Sequence, residues 1–164
     1  MSQSILKSIA LTTLPVAVAV IVSQACTSST SAQSDGNKDP IEGLWNSQVT
    51  ISDCQTNAVT RQFVAMNLFI RGGTLTDTDV QPPASHGPAF GTWQNTGTMQ
   101  YTSMFRLFRF NADGSYAGSN KVTRTITLST DANAFTSTLS VDVEDPAGAS
   151  VASACGTETA TRAS

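Results

Sequence analysis

The chain predicts an all-β domain that closes as a single eight-stranded antiparallel up-and-down barrel, with a two-sheet β-sandwich as the alternative. Three observations carry this expectation. Several stretches alternate polar and apolar residues with period two, the pattern of a strand that covers a core on one side and meets water on the other. Beyond the N-terminal segment, no window repeats apolar residues at the three- and four-residue spacing of a helix. Turn residues recur at meander spacing, whereas the Greek-key crossings of a sandwich want longer connections. Composition agrees. Of 164 residues 40% are hydrophobic but only 13% charged, with Thr and Ser filling the difference, a balance that favours strands.

Residues 1–25 have the layout of a secretory signal peptide: a short head carrying Lys7, an apolar run from Ile9 to Val22, and small residues Ser23-Gln24-Ala25. Pro15 and Ser23 interrupt the run, which falls short of the ~20 apolar residues a membrane span needs. Ser23-Gln24-Ala25-Cys26 resembles the bacterial lipobox, although the usual large aliphatic residue stands one place early, at Val22. That resemblance implies a lipid on Cys26 that anchors the chain to a membrane of the cell envelope, on the periplasmic side. A plain cut after Ala25 or Ala32, with secretion, is the other outcome. Three cysteines in an exported chain leave one odd. If Cys54 pairs with Cys155, the odd one is Cys26, the residue a lipid would consume. Residues 26–40, rich in Ser, Thr, Asp, Gly and Asn, read as a flexible tether, and the folded domain spans 41–164.

Within that domain the strands follow in order. Gly43-Leu44-Trp45 leads into a strand with Ser47, Val49 and Ile51 on one face. The next, Thr60 to Arg71, places Val64, Met66, Leu68 and Ile70 on one parity, which reads as the core side; Phe63 and Phe69 make its other face partly apolar. Gly72-Gly73 turns the chain into Thr74–Val80. Residues 81–88, with three prolines and no periodicity, are a loop. Phe90–Trp93 is a short strand turned at Asn95-Thr96-Gly97, Met99–Phe110 a long one dense in aromatics, and Asn111-Ala112-Asp113-Gly114 a hairpin turn. The strand Ser115–Ser129 bends at Gly118, and its face of Val122, Ile126 and Leu128 is apolar apart from Arg124. Asp131-Ala132-Asn133 turns into Phe135–Glu144, with Phe135, Leu139, Val141 and Val143 inside. After Asp145–Gly148, Val151–Thr161 ends the series. In a closed meander the first and last strands pair, which brings Cys54 towards Cys155 for a disulfide.

Gly43-Leu44-Trp45 also resembles the Gly-x-Trp that opens the first strand of lipocalins, and the chain looks like the broad calycin-type barrels of exported bacterial proteins. The resemblance covers residues 43–162 in architecture, and one tripeptide and one Arg in motif. Gly91-Thr92-Trp93 supplies a second copy of the tripeptide, and the usual lipocalin helix before the last strand is missing. It implies that Trp45 plugs the closed end and that Arg162 packs over its ring as a cation–π pair, with Arg124 as a less orthodox substitute. It also implies a lumen for a small apolar or amphipathic molecule. Avidin-type barrels share the opening through Gly43, Trp45 and Asn46, but the chain offers no equivalent of their biotin-binding polar residues.

Arg124 is the most pointed site candidate, because a charge on an apolar face must be paired or wet. It would orient a ligand carboxylate, or else hold the barrel together by stacking on Trp45 or Trp93 or by pairing with Glu158. Glu158 shares parity with Ala154, Gly156, Ala160 and Arg162. Arg106 shares parity with Met104, Phe108 and Phe110, and Arg109 falls on the opposite face. The expected lumen set is therefore Arg124, Arg106, Glu158, Met66 and Phe108, joined by Val64, Leu68, Ile126 and Leu139. His86, the only histidine, sits in the proline-rich loop, where it reads as solvent-exposed or, as the alternative, as a base at a barrel mouth. Asp77 and Asp79, and Asp142, Glu144 and Asp145, are acidic groups that could suggest calcium, and Asn111-Ala112-Asp113-Gly114 resembles part of a calcium loop, but it lacks the remaining ligands and the closing Glu and reads as a hairpin turn. No nucleophile elbow, phosphate loop or dinucleotide fingerprint is present, so no catalytic residue, cofactor or metal is assigned. Nine Lys and Arg less Lys7 leave eight, against 12 Asp and Glu, a net charge of about −4 that disfavours nucleic acid. Nothing selects an oligomeric state. The leading expectation is a ligand-binding barrel. The alternatives are an isomerase or cyclase of allene-oxide-cyclase type, and a filled barrel with an envelope structural or interaction role. Fractionation of the full chain expressed in a bacterium tests the anchor: Cys26→Ser should move the protein from the membrane to the soluble fraction, and unchanged partitioning would remove the lipid.

Overall fold

A computed structural model describes residues 38–83 and 87–164; Cys26 and His86 lie outside the described residues, as do the expected signal peptide and most of the expected tether. The strands are β1 (Gly43–Ser52), β2 (Val59–Ile70), β3 (Thr74–Asp79), β4 (Ala89–Gly97), β5 (Gln100–Phe110), β6 (Tyr116–Leu128), β7 (Ala134–Glu144) and β8 (Ser150–Arg162). Each pairs antiparallel with the next, and β1 pairs with β8 from Trp45↔Arg162 to Ser52↔Cys155. The fold is thus a single closed eight-stranded up-and-down barrel. Closure removes the free edges that a sandwich would keep.

Antiparallel alternation gathers the start of β1 and the end of β2 at one end of the barrel, together with the starts of β5 and β7. That end is filled by Trp45, Phe69, Trp93, Tyr101 and Phe135. Trp45 and Phe135 meet edge to face with ring centroids 5.0 Å apart, and Phe69 touches both Phe135 (6.1 Å) and Trp93 (6.3 Å) in the same manner. Ile41, fully buried, closes the end from below, and its carbonyl accepts the Trp45 indole N–H at 2.9 Å. Arg162 lies over Trp45, its guanidinium carbon 4.2 Å from the ring centroid. Its remaining N–H groups donate to the carbonyls of Glu42 (2.9 Å), Pro40 (2.6 Å) and Ala132 (3.0 and 2.9 Å). Gly43 has φ +128°, and a Cβ there would stand 2.8 Å from Arg162 Nη1. Glycine is needed at this place because the guanidinium passes across it.

The register reverses one expected face. Val64, Met66, Leu68 and Ile70 point outward; Met66 is 42% exposed, while Ala65, Asn67 and Phe69 are buried. Directly paired residues share a face of the sheet, and Trp45 pairs with Asn67 as Ser47 pairs with Ala65. Once Trp45 is inside, the apolar parity of β2 must be outside. The same rule corrects β5. Ser103 pairs with Arg124 and Phe105 with Val122, so Met104, Arg106 and Phe108 face out, Phe108 being 56% exposed. Arg106 donates to Glu144 at 2.9 Å across the outer rim. Gly118 is the bend of β6: its φ is +111°, a Cβ would collide with the Glu144 carbonyl, and the pairing with β5 shifts beside it, at Arg109/Phe110.

Cys54, just past β1, and Cys155 in β8 form a disulfide with Cα atoms 4.9 Å apart and a sequence separation of 101. It staples the closing seam of the barrel. A loop of that length gives a chain-entropy stabilisation of roughly 4–5 kcal/mol. Urea unfolding of Cys54→Ser/Cys155→Ser should show a loss approaching that value, and reductant should destabilise the parent chain while leaving the double variant unmoved.

Candidate functional site

The centre of the lumen is polar, and six strands build it. Arg124 on β6 is 2% exposed. Its Nε donates to Ser103 on β5 at 2.9 Å, and its Nη1 donates to Asn67 on β2 at 2.7 Å and to Glu158 on β8 at 3.0 Å. Glu158, also 2% exposed, accepts further bonds from Asn67 Nδ2 at 2.8 Å and from Ser137 on β7 at 2.9 Å. Asn67 Nδ2 also donates to Ser47 on β1 at 2.7 Å. The guanidinium carbon lies 4.7 Å from the Phe105 ring centroid and 5.6 Å from that of Phe69. A buried charge needs this degree of company, since neither ion alone can be taken out of water cheaply.

One nitrogen is left over. Arg124 Nη2 is buried with no hydrogen-bond partner. Arg124 also lines a cavity of about 60 Å³ that runs from this polar floor towards the end opposite Trp45. Its walls are apolar, with Val49, Phe63, Leu107, Val122 and Val141 among them, and Asn120 Oδ1, another cavity residue's buried atom, also lacks a partner. The volume holds a few waters or a small head group.

Asp77 on β3 completes the floor. It is 7% exposed and lines the cavity, and β3 pairs it with Asn67 of the polar floor. Burial pushes its carboxyl up to about 7, against the opposing pull of Arg124; Glu158 and Asp79 add to the rise. Glu158 responds differently to the same depth. Burial raises it, but Arg124 and the hydrogen bonds from Ser47, Ser137 and Asn67 more than offset this and hold it below its ordinary value. One acid is locked as an anion. The other is poised to exchange a proton near neutrality.

Of the expected lumen set, Arg124 and Glu158 come together on the floor, while Arg106, Met66 and Phe108 lie on the outer wall. Arg124 stacks on Phe105 and Phe69 rather than on either tryptophan. Ile126 is buried, and Leu139 lines the cavity. The small polar partners Ser47, Asn67, Ser103 and Ser137 are not picked out by the sequence, since lone Ser and Asn residues are unremarkable in a strand. Asp77 carries a readable signal, because it shares parity with Leu75, which is buried. Among the described residues, no group of three His, Cys, Asp or Glu side chains is placed to hold a metal ion.

No protein-family model matches this chain, and no curated protein or solved structure matches it either.

The two acids make stability depend on pH in a specific way. Between about pH 4 and 7 the folded chain keeps the Asp77 proton that the unfolded chain has released, so this group's contribution falls as pH rises through that window and stays low above it. Asp77→Asn removes the fall. In denaturant titrations it should match the parent near pH 4 and exceed it at pH 8 by up to about 4 kcal/mol, the upper bound for a shift of this size. Equal stability at pH 8 would show that Asp77 ionises without penalty.

Proposed function

We propose that this chain is a lipocalin-like binding barrel, exported and anchored through Cys26, whose open lumen takes up one small, mainly apolar molecule. The observation that supports this most is the cavity itself: apolar walls above a floor in which a buried Arg124 N–H has no acceptor. Leaving a buried donor unpaired costs about 1–3 kcal/mol, and a ligand oxygen placed there would recover much of it. Pockets of this kind, apolar with a few convergent polar groups, are the usual form of a small-molecule site. A barrel with only a structural role would gain by filling the space, as the aromatic rings fill the opposite end. The Cys54–Cys155 disulfide fits an oxidising compartment outside the cytoplasm.

A second reading, an isomerase or cyclase of allene-oxide-cyclase type, draws on Asp77. A cavity carboxyl with a value of about 7 is matched to general acid–base work at neutral pH. Carriage is the reading preferred here, because the described residues offer one such group and no partner acid or base within its hydrogen-bonding reach.

Native mass spectrometry of the purified protein tests carriage. The parent chain should hold a small-molecule adduct, and Val122→Phe, which fills the lumen from β6, should release it while circular dichroism shows the barrel intact. A parent protein that is bare under gentle desolvation, or an adduct that survives the filled lumen, would count against a lumen ligand.

A further inference from the structure

We infer that the lumen selects an uncharged ligand whose head is a carbonyl oxygen (a ketone, aldehyde, ester or amide), accepting from Arg124 and Asp77 together. This rests on the binding reading above and adds the ligand's chemical class. The charged groups that line the cavity among the described residues are Arg61 on β2, Asp77 and Asp79 on β3, Arg124 on β6 and Glu158 on β8. The lining residues of β1, β5 and β7 carry no charge, and β4 contributes none. Arg61 reaches outward to Gln81 at 2.8 Å, and Asp79 accepts from Gln81 N at 2.8 Å and Nε2 at 2.9 Å. Those three residues form the mouth. The floor is then Arg124, Glu158 and Asp77.

Arg124 is already neutralised by Glu158 at 3.0 Å. A carboxylate head would therefore bring an uncompensated negative charge into a site beside a buried anion. An ammonium head would lie beside the guanidinium and leave Nη2 without an acceptor. Both are expensive at this depth of burial. A carbonyl oxygen adds no charge, and its two lone pairs can take one bond from Nη2–H and one from the Asp77 O–H. Burial keeps that proton on Asp77 up to about pH 7. Above this the donor is lost and a carboxylate takes its place opposite the ligand oxygen. Affinity should fall roughly tenfold per pH unit there, as for any binding that requires one proton. The rest of the molecule follows the apolar walls towards the mouth at Arg61, Asp79 and Gln81.

The test uses three probes with one tail, 2-heptanone, heptanoate and heptylamine, titrated into the purified full chain at pH 6 and 8.5. The readout is the methyl NMR shifts of Val122, Leu107 and Val141. The ketone should move these methyls and bind at least tenfold more tightly at pH 6 than either ion, with its carbonyl stretch displaced to lower frequency. At pH 8.5 its affinity should drop at least tenfold in the parent but not in Asp77→Asn, whose amide donates without titrating. Heptanoate or heptylamine binding in the lumen as tightly as the ketone would overturn the carbonyl inference and leave the binding reading standing. Ketone affinity that is equal at the two pH values, or pH dependence that persists in Asp77→Asn, would overturn the part given to Asp77. If no probe moves the lumen methyls, both the inference and the binding reading fall.

Discussion

A guanidinium and a carboxylate, each 2% exposed, face one another in the middle of this barrel, and much of the structure follows from keeping them there. Neither ion tolerates burial alone. Asn67 bridges the two, Ser103 takes the guanidinium Nε, and Ser137 and Ser47 support the carboxylate, Ser47 also accepting from Asn67. These side chains come from six different strands, so a register slip in any one would turn its contribution outward and orphan a charge. Such a pair adds little net stability compared with apolar packing, but breaking it from one side costs about 3–5 kcal/mol. Its value lies in admitting one arrangement of strands.

The pair also divides the lumen. On one side, aromatic rings meet edge to face against Ile41, and Arg162 ties the entering chain and the β6–β7 turn to Trp45. On the other, the side chains stop short of one another and a cavity remains. Arginine serves both ends through different chemistry. Arg162 is spread over an indole and satisfied by backbone carbonyls, whereas Arg124 keeps the Nη2 nitrogen in reserve. That reserve, beside an acid whose carboxyl burial pushes up to about 7, separates the candidate site from the filled end.

The wall contributes in a less obvious way. β2 places Ala65 and Asn67 inward and four larger apolar residues outward. Small inward residues leave room for the Arg124 side chain and for the cavity. Val64, Met66, Leu68 and Ile70 stay outside because Asn67 and Ala65 pair with Trp45 and Ser47, which face the lumen.

Period-two alternation, turn chemistry and three cysteines were enough to read the eight strands, their order, the closing pair and the disulfide, because each depends on neighbours in sequence or on simple closure. Arg124 stood out for the same local reason, as a charge on an apolar face. The inward side of β2 and β5 could not be read this way, since both of their parities are rich in apolar side chains and the choice is made by the pairing partners Trp45, Arg124 and Val122. The serines, Asn67 and Asp77 became a site only through tertiary structure. Hydrogen bonding and burial act across the barrel between residues as distant in the chain as Asn67 and Glu158, 91 positions apart, and no local pattern in the chain encodes that distance.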